Sequence, residues 1–432
     1  MPSPRVFTVL CCIAATVWMA AVILGGHLLR PNKQDFAQYY MGGSMVVAGE
    51  FDDLYPEPIE GSELNPGFAA GSTMRPAYRE MAEQRGVGDQ NRYFQPPPAA
   101  LLLAPLGLLD YESAWWLWAG LLIASGLGLG LTACRIFESL GGGDGDNRFA
   151  GYGKGGLILM ICCSPLMVRT LRTAQVSPIV GCALGIAMLD MMRRPGLRAA
   201  IGIVVAGVLK YISLGFLPLI LVTRQWRLLA TVLTISGGML GVTLAIMGIE
   251  PFRVFFIDIA PRLDRSSTLP FNQSAYGVLA RWTGQLPLAT PVEWTLTIAR
   301  WTALAAILVV LITRPRATWQ QPAAVVAAAG ALIAWSMLAG PVCWEHYFVY
   351  LCPWWGWLAF EAKQSKAWRV GAITAIALVW LPTPALIAFP LPEPLMSHMF
   401  FGLLLFGILA MLRVFKTPAE GTTDREIGRP SR

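Results

Sequence analysis

The chain has 432 residues, of which 55% are hydrophobic and 14% are charged, with a formal net charge of +7. A soluble protein of ordinary composition is about 25% charged, so this composition argues against a string of soluble domains. The lysines and arginines are scattered singly between apolar runs, which also argues against a basic nucleic-acid-binding surface. We therefore expect membrane lipids, and no nucleic acid, among the partners.

Apolar runs long enough to cross a membrane, which takes about 20 mainly apolar residues, recur along the chain. Two stretches fit less well. The stretch 97–109 is a short crossing or a re-entrant or interfacial element, and 198–222 carries Lys210 at its middle, which favours two half-helices facing a polar cavity. The pattern predicts an all-α polytopic membrane protein with about 10–12 transmembrane helices. Ten full crossings are predicted at 6–29, 113–134, 156–172, 176–192, 228–249, 295–313, 322–340, 346–361, 370–389 and 396–413.

Positive charge orients these crossings, because arginine and lysine are enriched in short cytoplasmic connections. Placing the basic connections inside gives ten crossings with both termini in the cytoplasm. The opposite face then receives two outer loops, at 30–95 and 250–294. The basic connections contain Arg193, Arg194 and Arg198, then Arg224 and Arg227, then Arg314 and Arg316, and then Lys363, Lys366 and Arg369.

The domain organisation follows from the same pattern. We predict one integral membrane domain over 1–416 and a polar, disordered cytoplasmic tail over 417–432. The first run is expected to be a retained anchor helix in the plasma (inner) membrane. The first outer loop is unusually long for a connector, which places the expected function on the outer, periplasmic face.

The cysteines give no sign of a metal or redox centre. All eight lie in or beside apolar segments, and none lies in the first outer loop. This arrangement is neither a disulfide framework nor a spaced zinc motif. We expect no metal and no cofactor.

Asp35 is the first candidate for chemistry, a few residues beyond the first crossing. An oriented and partly desolvated carboxylate can act as a general base on a hydroxyl. Aspartate is also a good helix N-cap, so a purely structural role is the alternative for this residue.

Cations on the outer face form the second group. Arg169 and Arg172 precede Gln175 in an outer turn; they could bind a phosphate, or their side chains could reach lipid headgroups. Lys210 lies within a membrane segment, where an ionisable residue indicates function by default. His346, beside Glu345, could donate to a phosphate or form an interfacial hydrogen-bonded pair.

Two further segments carry polar or aromatic clusters. Asn272, Gln273 and Ser274 could bind sugar hydroxyls or cap the next helix. The Pro-rich and Trp-rich segment 93–118 contains tryptophans that are typical of interfacial anchors, although the segment could instead line a lipid-entry groove.

The order of these motifs resembles glycosyltransferase family 87, mannosyltransferase-like membrane proteins of the glycosyltransferase C superfamily. The likeness runs from Asp35 to Tyr347. Two positions depart from the family pattern: Ala174 stands where a glycine is usual, and Tyr211 where a proline is common. The motifs are Asp-Phe-x-x-Tyr-Tyr at 35–40, Tyr-x-x-Pro-Pro-Pro-Ala at 93–99, Gln175, Lys210, Arg-Gln-Trp-Arg at 224–227, Asn-Gln-Ser at 272–274 and Pro-x-x-Trp-x-His-Tyr at 341–347.

The resemblance implies a membrane enzyme that uses a polyprenyl-phosphate-linked sugar as donor, with Asp35 as its catalytic acidic residue. We expect a hexose or pentose to pass to a lipid or glycan acceptor with inversion, because phosphate leaves without a strong general acid. Lys210, Arg172 and His346 are the expected phosphate ligands. Tyr39, Tyr40, Gln175, Asn272 and Glu345 are the expected sugar or acceptor contacts.

Two other classes of function are alternatives to this interpretation. A transporter or flippase of lipid-linked saccharides would also have many crossings and a broken helix, although no internal repeat is evident. It does not explain a long outer loop that carries an interfacial aspartate. A binding or scaffold protein is the third class, and it would need no catalytic Asp35.

Overall fold

The computed structural model describes most of the chain. Four predicted segments fall partly outside it: the outer loops at 30–95 and 250–294, the end of the crossing at 370–389 and the cytoplasmic tail beyond Thr417. The residues described are 2–29, 35–58, 72–87, 92–142, 148–193, 195–263, 268–285, 287–381 and 392–417.

Helices fill the first part of the chain, and several begin at a residue that favours a helix start. The Asp110 carboxylate accepts the N–H of Ser113 at 2.9 Å. Two short strands, β1 (Glu57–Pro58) and β2 (Ser72–Thr73), pair antiparallel in the first outer loop. The helices are α1 (Pro4–Leu29), α2 (Phe36–Ala48), α3 (Pro76–Gln84), α4 (Pro97–Gly107), α5 (Tyr111–Ser139), α6 (Arg148–Cys162), α7 (Pro165–Arg172) and α8 (Ser177–Arg193).

The second part of the chain is also helical and includes several irregular segments. Residues Tyr211–Gly215, Arg316–Gln320 and Glu345–Trp354 form 3-10 turns, and Val254–Ile259 forms a π-helical stretch. The remaining helices are α9 (Leu197–Leu209), α10 (Phe216–Val222), α11 (Trp226–Met247), α12 (Glu250–Arg253), α13 (Ala260–Leu263), α14 (Ala275–Thr283), α15 (Thr290–Thr313), α16 (Pro322–Ala339), α17 (Trp355–Glu361), α18 (Lys366–Trp380), α19 (Glu393–Met396) and α20 (His398–Lys416).

The predicted all-α polytopic class is confirmed. Six helices of the described chain (α1, α5, α11, α15, α16 and α20) are long and apolar enough to cross a membrane. A seventh such unit consists of α6 from Tyr152 together with α7, bent by 44°. The chain is therefore a multi-pass membrane protein.

Two predicted crossings are less regular than their apolar runs suggest. The run 156–172 breaks between α6 and α7 because Ser164 caps a new helix, its Oγ accepting the N–H of Met167 at 3.2 Å, and Pro165 then occupies the first helical position. The run 346–361 begins as the 3-10 segment Glu345–Trp354 before α17 starts. Hydropathy averaged over a whole run does not register either change.

Lys210 separates two half-helices, as the sequence predicts. Helix α9 ends at Leu209, and Lys210 has an extended backbone with φ −156° and ψ 119°. The 3-10 turn Tyr211–Gly215 and α10 follow it. The chain therefore leaves helical geometry at the residue that carries the charge.

Helix α2 lies inside the protein, and its residues from Phe36 to Val46 are buried, with the exception of the half-buried Gln38. It packs against α4 closely enough that a Cβ on Gly43 or on Gly107 would clash with the backbone of the other helix. Only glycine permits so close an approach at these two positions. The short stretch predicted at 97–109 therefore contains a helix, α4, that packs against α2.

Trp118 of α5 packs against α2, and for two of the three tryptophans the expected role as interfacial anchors is wrong. Trp115 and Trp118 are buried, and Trp116 is exposed. The Trp118 ring packs against Phe36 and Tyr39. Its indole N–H donates to the carbonyl of Ala174 at 2.9 Å, which satisfies the polar end of a buried aromatic side chain.

The turn between α7 and α8 holds the start of α2 in place. The backbone N–H of Asp35 donates to the carbonyl of Thr173 at 2.9 Å. Ala174 has φ +52°, a left-handed conformation that costs a residue with a Cβ about 1–2 kcal/mol. This is the position at which the resemblance described above implies a glycine.

Replacing Ala174 by Gly is therefore expected to keep or raise the melting temperature of the protein in detergent. Relief of the left-handed strain offsets the cost of about 0.5–1 kcal/mol that glycine adds through chain entropy. Ala119, buried in the middle of α5, is the matched control, because Ala119→Gly should lower stability by about 1 kcal/mol. Equal losses in the two variants would contradict the prediction.

Candidate active site

A cavity of about 350 Å³ opens where six segments of the chain meet. Asp35 comes from the start of α2, and Lys210 from the break after α9. The segment 92–95, the α7–α8 region, the second outer loop and the segment after α16 supply the rest. The polar and aromatic lining residues include Asp35, Gln38, Arg92, Gln95, Arg169, Thr173, Gln175, Lys210, Phe271, Trp344, Glu345, His346 and Tyr347.

The Asp35 carboxylate is held by a chain of hydrogen bonds. Gln175 Nε2 donates to Asp35 Oδ2, and Tyr39 Oη donates to Gln175 Oε1 at 3.0 Å. Tyr39 and Gln175 are both buried, so neither partner is free to turn away. The side chain of Asp35 makes no N-cap hydrogen bond, so it is available to the cavity.

Burial raises the pKa of Asp35 above that of an ordinary aspartate. Three neighbours oppose this shift: the hydrogen bond from Gln175 and the positive charges of Lys210 and Arg169. A carboxylate with a raised pKa is a stronger base than a free aspartate. The same neighbours keep its ionised form accessible.

Lys210 brings a positive charge into the cavity that Asp35 lines. The Lys210 ammonium lies 5.4 Å from the ring centroid of Tyr347, a distance typical of a cation–π contact. His346 packs edge-on against the same tyrosine, with ring centroids 4.8 Å apart. Lys210 and His346 thus both contact Tyr347, in a cavity lining that also includes Asp35 and Gln175.

The second outer loop is fastened to the segment that follows α16. Asn272 forms an isolated antiparallel β-bridge with Trp344. Its Oδ1 accepts the N–H of Cys343 at 2.9 Å, and its Nδ2 donates to the carbonyl of Pro341 at 3.2 Å. Asn272 is fully buried. Here it organises the backbone of the cavity wall.

The structure brings five of the nine predicted site residues into the cavity lining: Asp35, Gln175, Lys210, Glu345 and His346. Tyr39 lies behind them, on Gln175.

The other three are elsewhere. Arg172 is exposed and Asn272 is buried beside the cavity, and neither lines it. Tyr40 donates to the carbonyl of Leu109 at 2.9 Å and accepts from Arg85 at 3.0 Å, where the hydroxyl ties α2 to the end of α4.

Several lining residues were not among the predicted ligands. Gln38 follows Asp35 by three residues, a spacing that shares one face of a helix, so the sequence contained a signal for it. Arg92 and Gln95 flank the aromatic motif at 93–94. Phe271 adjoins the polar Asn-Gln-Ser run, and nothing in its sequence context indicates that it faces a cavity.

Metal ligation is not indicated within the described part of the chain. No group of three or more His, Cys, Asp or Glu side chains lies close enough together there to hold a metal ion. The cavity instead combines opposite charges, with two carboxylates, three basic residues and a histidine in its lining.

The fold and the site together define the class of protein. It is a multi-pass helical membrane protein in which one cavity holds an oriented carboxylate and clustered cations. Residues 93–341 match the model of Glycosyltransferase family 87, which is more than half of the chain. The chain belongs to this family and is a membrane glycosyltransferase. The match covers Arg169, Gln175 and Lys210, whereas Asp35 and His346 lie outside it. Searches of curated proteins and of solved structures each gave no match.

Replacing Gln175 by Met should shift the acidic limb of the pH–activity profile to higher pH. The Gln175 hydrogen bond stabilises ionised Asp35, so its loss raises the pKa further. A base acts only when ionised, and activity that falls as Asp35 becomes protonated would then fall at a higher pH. The profile of transferase activity against pH measures the shift.

Gln38→Met is the matched control for this experiment. Gln38 also lines the cavity, but no hydrogen bond joins its side chain to Asp35 in the described structure. Its acidic limb should stay where the wild-type limb lies. An unmoved limb in Gln175→Met would contradict the expectation that Asp35 is the titrating base.

Proposed function

We propose that this glycosyltransferase moves a hexose or pentose from a polyprenyl-phosphate-linked donor to a hydroxyl of a lipid or glycan acceptor. The observation that carries the proposal is the Asp35 carboxylate, fixed by Gln175 in a cavity that also holds Lys210 and His346. A base beside a cluster of phosphate-binding groups suits an acceptor hydroxyl on one side and a phosphate leaving group on the other.

Asp35 acts as the general base. It takes the proton of the acceptor hydroxyl while the acceptor oxygen forms a bond to the anomeric carbon. The bond between that carbon and the phosphate oxygen breaks, and the phosphate departs with the electron pair. Attack opposite the leaving group inverts the anomeric centre, and no general acid is needed because the phosphate already carries negative charge.

Lys210 and His346 stabilise the departing phosphate. Both line the cavity, and fixed donors aimed at developing charge lower the barrier to reaction. Loss of one such contact is expected to cost about 3 kcal/mol of transition-state stabilisation. Arg172, expected from the sequence to share this role, is exposed outside the cavity, so the proposal rests on the other two.

The reaction is placed on the outer face of the plasma (inner) membrane, with both termini in the cytoplasm. The support is the distribution of charge: the basic connections fall on one side and the two outer loops on the other. The cavity is lined by residues of both outer loops, for example Asp35 and Phe271.

Asp35→Asn should reduce sugar transfer by at least about 100-fold, because a positioned general base contributes roughly 10²- to 10⁴-fold. Folding and donor binding should persist, since asparagine keeps the shape of the side chain. Transfer is measured with purified protein in detergent, a polyprenyl-phospho-sugar and candidate acceptors. Asp52→Asn, at an exposed acid of the same loop, is the matched control and should transfer normally.

Near-normal turnover in Asp35→Asn would refute the base assignment. The same assay separates the enzyme from a transporter of lipid-linked saccharides, whose broken helices resemble the break at Lys210. A flippase yields no glycosylated product in detergent, where no sealed compartment exists. Product in the wild-type reaction therefore supports transfer.

A further inference from the structure

Arg169 is the only arginine of α7 whose side chain lines the cavity, and two different groups hold it. Its guanidinium carbon lies 4.4 Å from the ring centroid of Phe271. On another side, its Nε lies 3.7 Å from Glu345 Oε2. The side chain of Glu345 is only 6% exposed, whereas that of Arg169 is 39% exposed. The arginine therefore projects from a fixed support towards open space.

The two supports belong to one structural unit. Phe271 directly precedes Asn272, and Glu345 directly follows Trp344, and Asn272 and Trp344 form the antiparallel bridge. The N–H of Gln273 adds a hydrogen bond to the carbonyl of Cys343 at 2.8 Å. The bridge thus fixes the ring and the carboxylate relative to each other, and both meet Arg169.

The guanidinium retains its hydrogen-bonding capacity for a ligand. A separation of 3.7 Å from Glu345 is an ion pair but too long for a hydrogen bond. Among the residues that the structure describes, the guanidinium of Arg169 donates no hydrogen bond. An arginine that is stacked on a ring keeps its planar edge free to bind two phosphate oxygens at once.

We propose that Arg169 is a phosphate-binding residue of the donor site, with Phe271 and Glu345 as the residues that position it. This inference rests on the proposed function, because it assigns the arginine to the phosphate of a polyprenyl-phosphate-linked donor. Arg169 takes the role that was expected of Arg172, which lies one turn further along α7. It supplies the two-pronged contact that Lys210, a single ammonium, cannot make.

The test compares Arg169→Gln with the matched control Arg172→Gln in the full chain, reconstituted in lipid nanodiscs. Binding is titrated with two probes, geranylgeranyl monophosphate and the corresponding alcohol, which lacks the phosphate. Arg169→Gln should weaken monophosphate binding by about tenfold or more, the value of a lost charge-assisted contact. It should leave alcohol binding unchanged. Arg172→Gln should bind both probes as the wild type does.

Conservative variants separate positioning from general damage to the fold. Arg169→Lys keeps the charge but loses the planar fork, so monophosphate binding should still fall several-fold. Phe271→Leu should weaken the monophosphate alone, and Phe271→Tyr, which keeps the ring face, should restore it. Unchanged monophosphate binding in both Arg169 variants, or an equal loss in Arg172→Gln, would overturn the inference.

Failure of the inference is distinguishable from failure of the proposed function. If the wild type binds the monophosphate no better than the alcohol, the phosphate-linked donor and the role of Arg169 both fall. If the wild type prefers the monophosphate and both Arg169 variants keep that preference, only the inference about Arg169 falls.

Discussion

Opposite charges share one cavity in a predominantly apolar protein, and the structure around that cavity keeps them compensated. Removing an isolated carboxylate or ammonium from water costs several kcal/mol or more unless a partner compensates it. Asp35 receives a hydrogen bond from Gln175, and Glu345 receives the ion pair with Arg169. Each acidic group thus has a basic or amide partner from a different segment, so the charges themselves hold those segments together.

The chain leaves regular helical geometry where it delivers these groups. It is extended at Lys210, and it turns through a left-handed residue at Ala174. The turn at 173–175 performs three tasks: its carbonyls accept from Asp35 and Trp118, and its glutamine orients the carboxylate. Irregular backbone in a membrane protein is tolerated where it is buried in protein or lines a cavity, and both breaks satisfy that condition.

Much of the fold could be predicted from the sequence, because a membrane span requires a long apolar run and such runs can be identified directly in the sequence. The break at Lys210 could also be predicted, since a lysine within an apolar run has to reach a polar environment. The choice between Arg169 and Arg172 was not. The two are three residues apart on one helix, and only the neighbours that this helix meets decide which of them faces the cavity.

Ambiguous chemistry limited the prediction in the same way elsewhere. A tryptophan suits both a membrane interface and a buried site with a partner for its N–H, so Trp118 could not be assigned before its contact with Ala174 was visible. An asparagine in a polar run can bind a sugar or form hydrogen bonds with backbone groups, and Asn272 does the second.

The cavity also crosses the limits of the family match at 93–341. Gln175 lies inside the matched range and contacts Asp35, which lies outside it. Arg169 also lies inside the range and pairs with Glu345, which lies outside it. Because each contact joins a matched residue to an unmatched one, the segments on both sides of those limits form a single site.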